Sequence, residues 1–269
     1  MLLVVFVGLY MFEIGFYFQV FSVNVNFNTN CNVHASNQHS IFDALGDITD
    51  SSCSKTEKFG TADGEKRLCV SDIDPARPCK VFSLGSANDW RFEEDIVSRT
   101  HCSVDTFDCT GDFTVPEHLR SRVTFHKICI GTQSSGSFLA WADVVQRYGV
   151  PTVLKMDIEG WEWAVLPQIT QGTAPRQIAM ELHACGVFDK AVLPRVPFQE
   201  VWGPAGDAGR FGKDKRYVKL GDPKAEIKLL MEGLRAAGMY LMDRHDNPFC
   251  AACSEIVLRT PRWAGHDKS

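Results

Sequence analysis

From Cys79 onward, short apolar runs alternate with amphipathic stretches, the pattern of a βαβ fold built on a mostly parallel sheet. Lys80 to Leu84 predicts a first strand closed by Gly85-Ser86, and Trp90 to Arg99 predicts a helix with Asp89 at its N-cap. Ser103 to Phe107 predicts a second strand ending at Asp108, and Val123 to Ile130 a third. Phe138 to Tyr148 carries apolar positions at helical spacing. Pro151 to Met156 predicts a fourth strand ending at Asp157, with a helix from Trp161 to about Ile169. Gln177 to Leu182 predicts a fifth, whose end holds Glu181 and His183. After a stretch from Ala184 to Gly221 that is long for a connection, a well-marked helix follows. Asp222 caps it, Pro223 opens it, Ile227, Leu230, Met231 and Leu234 line one face, and Gly238 closes it. Met239 to Met242 and Glu255 to Arg259 predict two closing strands joined through Asp246-Asn247-Pro248.

The N-terminal pattern is different. Met1 to Val23 is almost wholly apolar, a length that suits a signal peptide or a membrane anchor, although Glu13 would cost about 2–3 kcal/mol if charged at a bilayer centre. A buried helix of the domain is the alternative reading. Asn24 to Pro78 is rich in Asn, Ser, Thr, Asp and Gly and reads as a polar stem. The division expected is therefore 1–23 signal or anchor, 24–78 stem, 79–261 catalytic-sized domain and 262–269 tail.

Composition narrows the partners. A net charge of -5, with 28 basic against 33 acidic residues, offers no basic stripe, so nucleic acid is excluded as a partner. Asn24 to Ser54 lacks Lys and Arg, the flank normally translocated, and places the domain in the secretory pathway: luminal and anchored, or secreted. Ten cysteines fit an oxidising compartment, with scattered free thiols the alternative. Cys250 and Cys253 form a single C-x-x-C without the second pair of a zinc ribbon.

In an open α/β sheet the ligand lies beyond the carboxyl ends of the strands, near the reversal of strand order. Gly85-Ser86 would let a cofactor approach the backbone closely, and Asp108 is placed to accept hydrogen bonds from ribose hydroxyls. A complete G-x-G-x-x-G is absent, which disfavours a pyrophosphate cofactor and with it an NAD-dependent oxidoreductase. Asp157 and Glu159 fall on one side as their strand ends, and so do Glu181 and His183. Either carboxylate of the first pair could instead cap the helix near Trp161, and His183 could be a satisfied strand-end histidine. Trp161 and Trp163 read as core; Arg210, Lys213, Lys215 and Arg216 could clamp an anionic acceptor or be merely solvated.

Val81-Phe82-Ser83-Leu84-Gly85-Ser86 with Trp90-Arg91-Phe92-Glu93, then Thr106-Phe107-Asp108-Cys109-Thr110, Leu154-Lys155-Met156-Asp157-Ile158-Glu159-Gly160-Trp161-Glu162 and Met180-Glu181-Leu182-His183 carry a resemblance. In this order they resemble the methyltransferase-domain family that includes methyltransferase-like protein 24 and, more distantly, the FkbM-type O-methyltransferases. The resemblance spans about Cys79 to Leu258 and implies a Rossmann-like class I methyltransferase sheet, mostly parallel with a reversed closing pair. It implies S-adenosyl-L-methionine held by Gly85, Ser86, Glu93 and Asp108, with Asp157 facing the transfer site. The acceptor expected is a small molecule or glycan. His183, whose ordinary pKa is near 6.5, is the expected general base, with Asp157 and Glu181 as its catalytic companions. No metal is assigned, although Asp157, Glu181 and His183 have the chemistry to hold one. A catalytically silent binding module is the competing class, and the intact Asp108, Asp157, Glu181 and His183 argue against it.

Overall fold

The computed structural model describes residues 40–61, 64–131, 133–184, 223–248, 250 and 253–261. In chain order the regular elements are β1 (Thr56–Phe59), β2 (Lys66–Cys69), β3 (Lys80–Leu84), α1 (Arg91–Arg99), β4 (Ser103–Phe107), β5 (Val123–His126), β6 (Cys129–Gly131) and β7 (Phe138–Ala140). There follow α2 (Trp141–Tyr148), β8 (Val153–Met156), α3 (Glu162–Val165), β9 (Gln177–His183), α4 (Pro223–Ala236), β10 (Tyr240–Asp246) and β11 (Cys253–Arg259). Seven strands form one sheet in the order β10-β11-β9-β8-β3-β4-β5. β3, β4, β5, β8 and β9 pair in parallel, while β11 lies antiparallel to both β9 and β10. This is the Rossmann-like class I methyltransferase sheet, and within its closing pair β11 is the strand that runs against the rest.

Alternation along the strands divides the core between two faces. Phe82, Leu84, Leu154, Met156, Ile178 and Met180 pack on the face covered by α2, α3 and α4. Val81, Val104, Val153 and Ala179 pack with Phe92 and Ile96 of α1 and with Phe59 and Leu68 of the β1–β2 hairpin. Every residue of β9 is buried, as a central strand covered on both faces requires.

The expected polar stem needs correcting where the structure describes it. Residues 40–61 and 64–78 contribute to the packing against the sheet: Phe42 and Leu45, on a short 3-10 turn (Ile41–Leu45), enter the main core. Cys69 exchanges backbone hydrogen bonds with the Gln177 side chain, and buried Arg259 bonds Asp50, Ser52 and Asp72. Short strands with few apolar positions hid this segment, because its partners lie more than a hundred residues away. Two other expectations shift. The third strand stops at His126, with Cys129–Gly131 pairing Phe138–Ala140 in a separate ribbon, so the helix begins at Trp141. The helix after Asp157 is one α-turn continued by a 3-10 turn at Leu166–Gln168, where Pro167 removes a backbone donor.

Disulfides join Cys53 to Cys69, Cys79 to Cys102, Cys109 to Cys129 and Cys250 to Cys253. Among the described residues no helix is long and apolar enough to cross a membrane. Met1–Val23, Cys31, Cys185, the 184–221 basic residues Arg210, Lys213, Lys215 and Arg216, the Asp222 cap and the 262–269 tail lie outside the described residues.

Candidate functional site

The crossovers after β3 and β8 leave in opposite directions, so the carboxyl ends of these adjacent strands form the switch point of the sheet. Gly85 follows one and Asp157 the other. A Cβ on Gly85 would lie 1.9 Å from the Asp157 carbonyl oxygen, and φ there is +77°, so the glycine is required by the approach of the two loops themselves. Among the described residues the non-glycine positions with positive φ are Ala87, Asn88 and Glu159, all in these two loops. Each costs on the order of 1 kcal/mol or more, and such strain gathers where side chains must be aimed.

The loop after β3 is held from below. Asp108 is buried; its Oδ2 accepts from the backbone N–H of Ser86 (2.9 Å) and Ala87 (2.8 Å), its Oδ1 from the N–H (2.8 Å) and hydroxyl (2.6 Å) of Thr110. Burial alone would raise its pKa, but these bonds, led by Thr110, outweigh it and hold the carboxyl below the ordinary aspartate value. All four acceptor directions are filled, so the carboxylate shapes the loop; the expected bond to a ribose hydroxyl needs one of them to open. Glu93, 1% exposed, accepts from the Thr106 hydroxyl at 3.2 Å through Oε1. Burial pushes its carboxyl up despite the nearby Lys155 ammonium. Its carboxyl also faces the buried Ser83 hydroxyl, while the buried Ser86 hydroxyl has no hydrogen-bond partner. Such a hydroxyl just past a strand end is unusual, because an unmet buried polar group costs about 1–3 kcal/mol. It fits a nucleoside cofactor, which would supply a hydroxyl or amine partner.

Beside this loop lies a dense charge cluster. Lys66, at the start of β2 and fully buried, sets its Nζ 3.2 Å from Asp157 Oδ2 and 2.8 Å from Glu255 Oε1. Glu255 faces Glu181 across the β11–β9 pair, a like-charge opposition that needs compensation. Lys66 and the Asn247 amide, which donates to Glu181 Oε1 at 2.8 Å, supply it. Lys155 donates to the carbonyl oxygens of Gly85 and Leu84. His183 Nε2 stands 3.5 Å from Glu181 Oε2 and 3.6 Å from Glu159 Oε2, and its Nδ1 lies 3.3 Å from Glu162 Oε1. Asp157, Glu181 and His183 are thus brought together; Gly85, Ser86, Glu93 and Asp108 line the neighbouring edge.

Burial opposes charge on His183, but Glu162, Asp157 and Glu159 outweigh it and push its pKa up to about 10. Three carboxylates around the ring favour its imidazolium form, a setting that works against the general-base role expected of His183. Burial raises Glu255 to about 7 even against Lys66, and raises Glu181 as well. Burial would also raise Asp157, yet Lys66, Lys155 and His183 hold it below the ordinary aspartate value.

Sequence reasoning missed Lys66, Glu162 and Glu255. Glu162, not Glu159, closes the loop before α3, accepting from the N–H groups of Ile158 (2.8 Å) and Gly160 (2.9 Å) with no exposed surface. A glutamate six residues past the strand end, at the opening of α3, was a readable capping signal, and Glu255 stood out as an acid beside the apolar run Ile256-Val257-Leu258. Lys66 had no local signal. Trp163 is core, as expected, its indole N–H bonded to the His183 carbonyl at 2.7 Å.

The methyltransferase domain family matches residues 18–202 of this chain. Among solved structures, TnmH is 15% identical over 71% of this chain and 52% of its own, with a TM-score of 0.33. An O-methyltransferase family protein from Burkholderia thailandensis is 11% identical over 69% of this chain and 52% of its own, with a TM-score of 0.33. This chain spans about half the length of these two. A 1,6-didemethyltoxoflavin-N1-methyltransferase from the same organism, solved with that molecule and S-adenosylhomocysteine, is 14% identical over 70% of this chain and 73% of its own, with a TM-score of 0.34. No curated protein matches.

Proposed function

This chain belongs to the methyltransferase domain family, and from that premise we propose that it is an S-adenosylmethionine-dependent methyltransferase acting on an oxygen of a small or glycan-like acceptor in the secretory pathway. The observation that carries the cofactor is the unpartnered buried hydroxyl of Ser86 at the carboxyl end of β3, beside the buried Glu93 carboxyl. Ser86 and Glu93 would hold it, Gly85 would let the two loops close beside it, and Asp108 would keep the Ser86–Ala87 backbone in place. Bound there, the cofactor supplies a methyl group already activated on a sulfonium, which leaves alignment and proton handling to the protein.

Asp157, ionised and at the switch point, orients the acceptor hydroxyl. Glu255, with a pKa of about 7, is the carboxylate best matched to accept its proton near neutral pH, and Lys66 lies between the two. His183 and Glu181 position these groups. The four disulfides among the described residues support an oxidising compartment.

Thermal unfolding with added ligand tests the cofactor. S-adenosylhomocysteine at a hundred times its Kd should stabilise the protein by about 2.7 kcal/mol, and NAD should do nothing. A shift with NAD and none with S-adenosylhomocysteine would overturn the reading.

A further inference from the structure

The C-x-x-C pair ends inside the charge cluster. Cys253 opens β11 and is the cross-strand partner of His183, while Glu181, two residues before His183, faces Glu255 on the same pair of strands. The Glu181 carboxylate, a His183 ring nitrogen and Cys253 Sγ each offer an atom within 4.8 Å of the others, and all three residues are buried. Bonds of about 2.0–2.3 Å around a tetrahedral zinc ion put neighbouring ligand atoms roughly 3.5 Å apart, so a small inward movement suffices. A disulfide to Cys250 now occupies the Cys253 sulfur.

We propose that Cys250 and Cys253, once reduced, complete with His183 and Glu181 a zinc-type metal site that the disulfide closes. Reduction by a dithiol transfers two electrons and two protons to the sulfurs, and the dithiol leaves as its own disulfide. Zinc then binds both sulfurs as thiolates and the neutral His183 ring, and releases three protons, two from the thiols and one from the imidazolium.

Two further features favour this set. Glu162, which has no exposed surface, faces Nδ1 of His183 and so leaves Nε2 on the side of Glu181, the carboxylate–histidine–metal arrangement that orients a ligand ring. Two thiolates, an imidazole and a carboxylate also suit zinc better than a harder ion. The other grouping, Asp157, Glu159 and His183, is less suitable, since Lys66 already neutralises Asp157 and Glu159 is largely exposed.

The site is independent of the cofactor reading, and its test reads metal absorption and not methyl transfer. Cobalt(II) added to the full chain after reduction by a phosphine, in the absence of air, should bind one equivalent with the intense visible and thiolate charge-transfer bands of a tetrahedral site. The oxidised chain should lack them, as should the Cys250→Ser/Cys253→Ser double variant. Because a phosphine also reaches the other disulfides, Cys250→Ala provides a second arm: it frees the Cys253 thiol with no reductant. That variant should bind cobalt with a single-thiolate band, and Glu162→Gln should weaken binding about 10–100-fold in either form. Bands that persist in the double variant overturn the assignment. So does their absence from folded Cys250→Ala, whatever the reduced wild type does.

Discussion

Just past β3 the buried Ser86 hydroxyl has no partner beside the buried Glu93 carboxyl, while across Gly85 the buried Lys66, Glu181 and His183 and the half-buried Asp157 and Glu255 are matched chiefly to one another. The two regions share one end of the sheet. A region whose polar atoms remain unmet loses free energy until something binds, whereas one whose charges are mutually compensated is already stable and resists change. The first is built as a receptor for a ligand; the second is a preset field that any acceptor must enter. The comparison predicts that substitutions in the charge cluster act first on stability, and substitutions in the loop first on binding.

The largest effect is expected from Lys66→Met. It strips the shared cation from Asp157 and Glu255 and leaves two carboxylates facing Glu181, and breaking a buried pair in this way costs about 3–5 kcal/mol. Urea unfolding should show this loss, and Glu255→Gln in the same chain should recover part of it through coupling. A loss under 1 kcal/mol would mean that the cluster is hydrated and weakly coupled.

Stability should also fall as pH rises, most clearly in the oxidised, metal-free protein. His183 has a folded pKa of about 10 against an unfolded value near 6.5, so its contribution is complete below 6.5 and is lost on the way to 10. One proton changes stability by at most about 1.4 kcal/mol per pH unit within that window. Glu255, raised from 4.5 to about 7, adds an earlier decline between those values, because its folded form also holds the proton more tightly. The stability difference between wild type and His183→Gln should therefore shrink from pH 6.5 to 10. A difference that stayed flat would show that the imidazolium is not paired as described.

Third in size is Asp157→Asn. Turnover should fall about a hundredfold, near 2.7 kcal/mol, with S-adenosylhomocysteine affinity nearly unchanged, as expected for a group that orients the acceptor. Unchanged turnover in a calorimetrically normal variant would return Asp157 to a purely structural role.

The order of strands β3, β4, β8 and β9 was legible because each is a compact apolar run bounded by a turn signal, and α4 because Ile227, Leu230, Met231 and Leu234 repeat at helical spacing. The β1–β2 hairpin was not, since strands of four residues with alternating charge look like any polar segment. Positions of site residues were legible for the same reason as the strands: they stand at strand ends. Their charge states were not. His183 lies in the sequence beside one acid, Glu181, but its pKa is set by Glu162, Asp157 and Glu159, which only the β8–β9 pairing brings to it. Lys66 reaches Asp157 across 91 residues and Glu255 across 189, separations that no local pattern reports.

The smallest effect is also the one that separates the two regions most sharply. Ser86→Ala removes a buried hydroxyl that has no partner in the protein, so its loss relieves a desolvation cost and should leave stability unchanged or raise it by up to about 1 kcal/mol. The same substitution removes a bond that a bound cofactor would make, worth about 0.5–1.5 kcal/mol, or roughly a 2–10-fold loss of S-adenosylhomocysteine affinity. The opposite signs are the diagnostic feature, because a residue that merely packs the loop would lose stability and leave affinity alone. Unfolding curves and calorimetric titrations on the same preparations would read both quantities. If Ser86→Ala lowered stability and left affinity unchanged, the edge of β3 would be ordinary packing, and its contrast with the charge cluster would be lost.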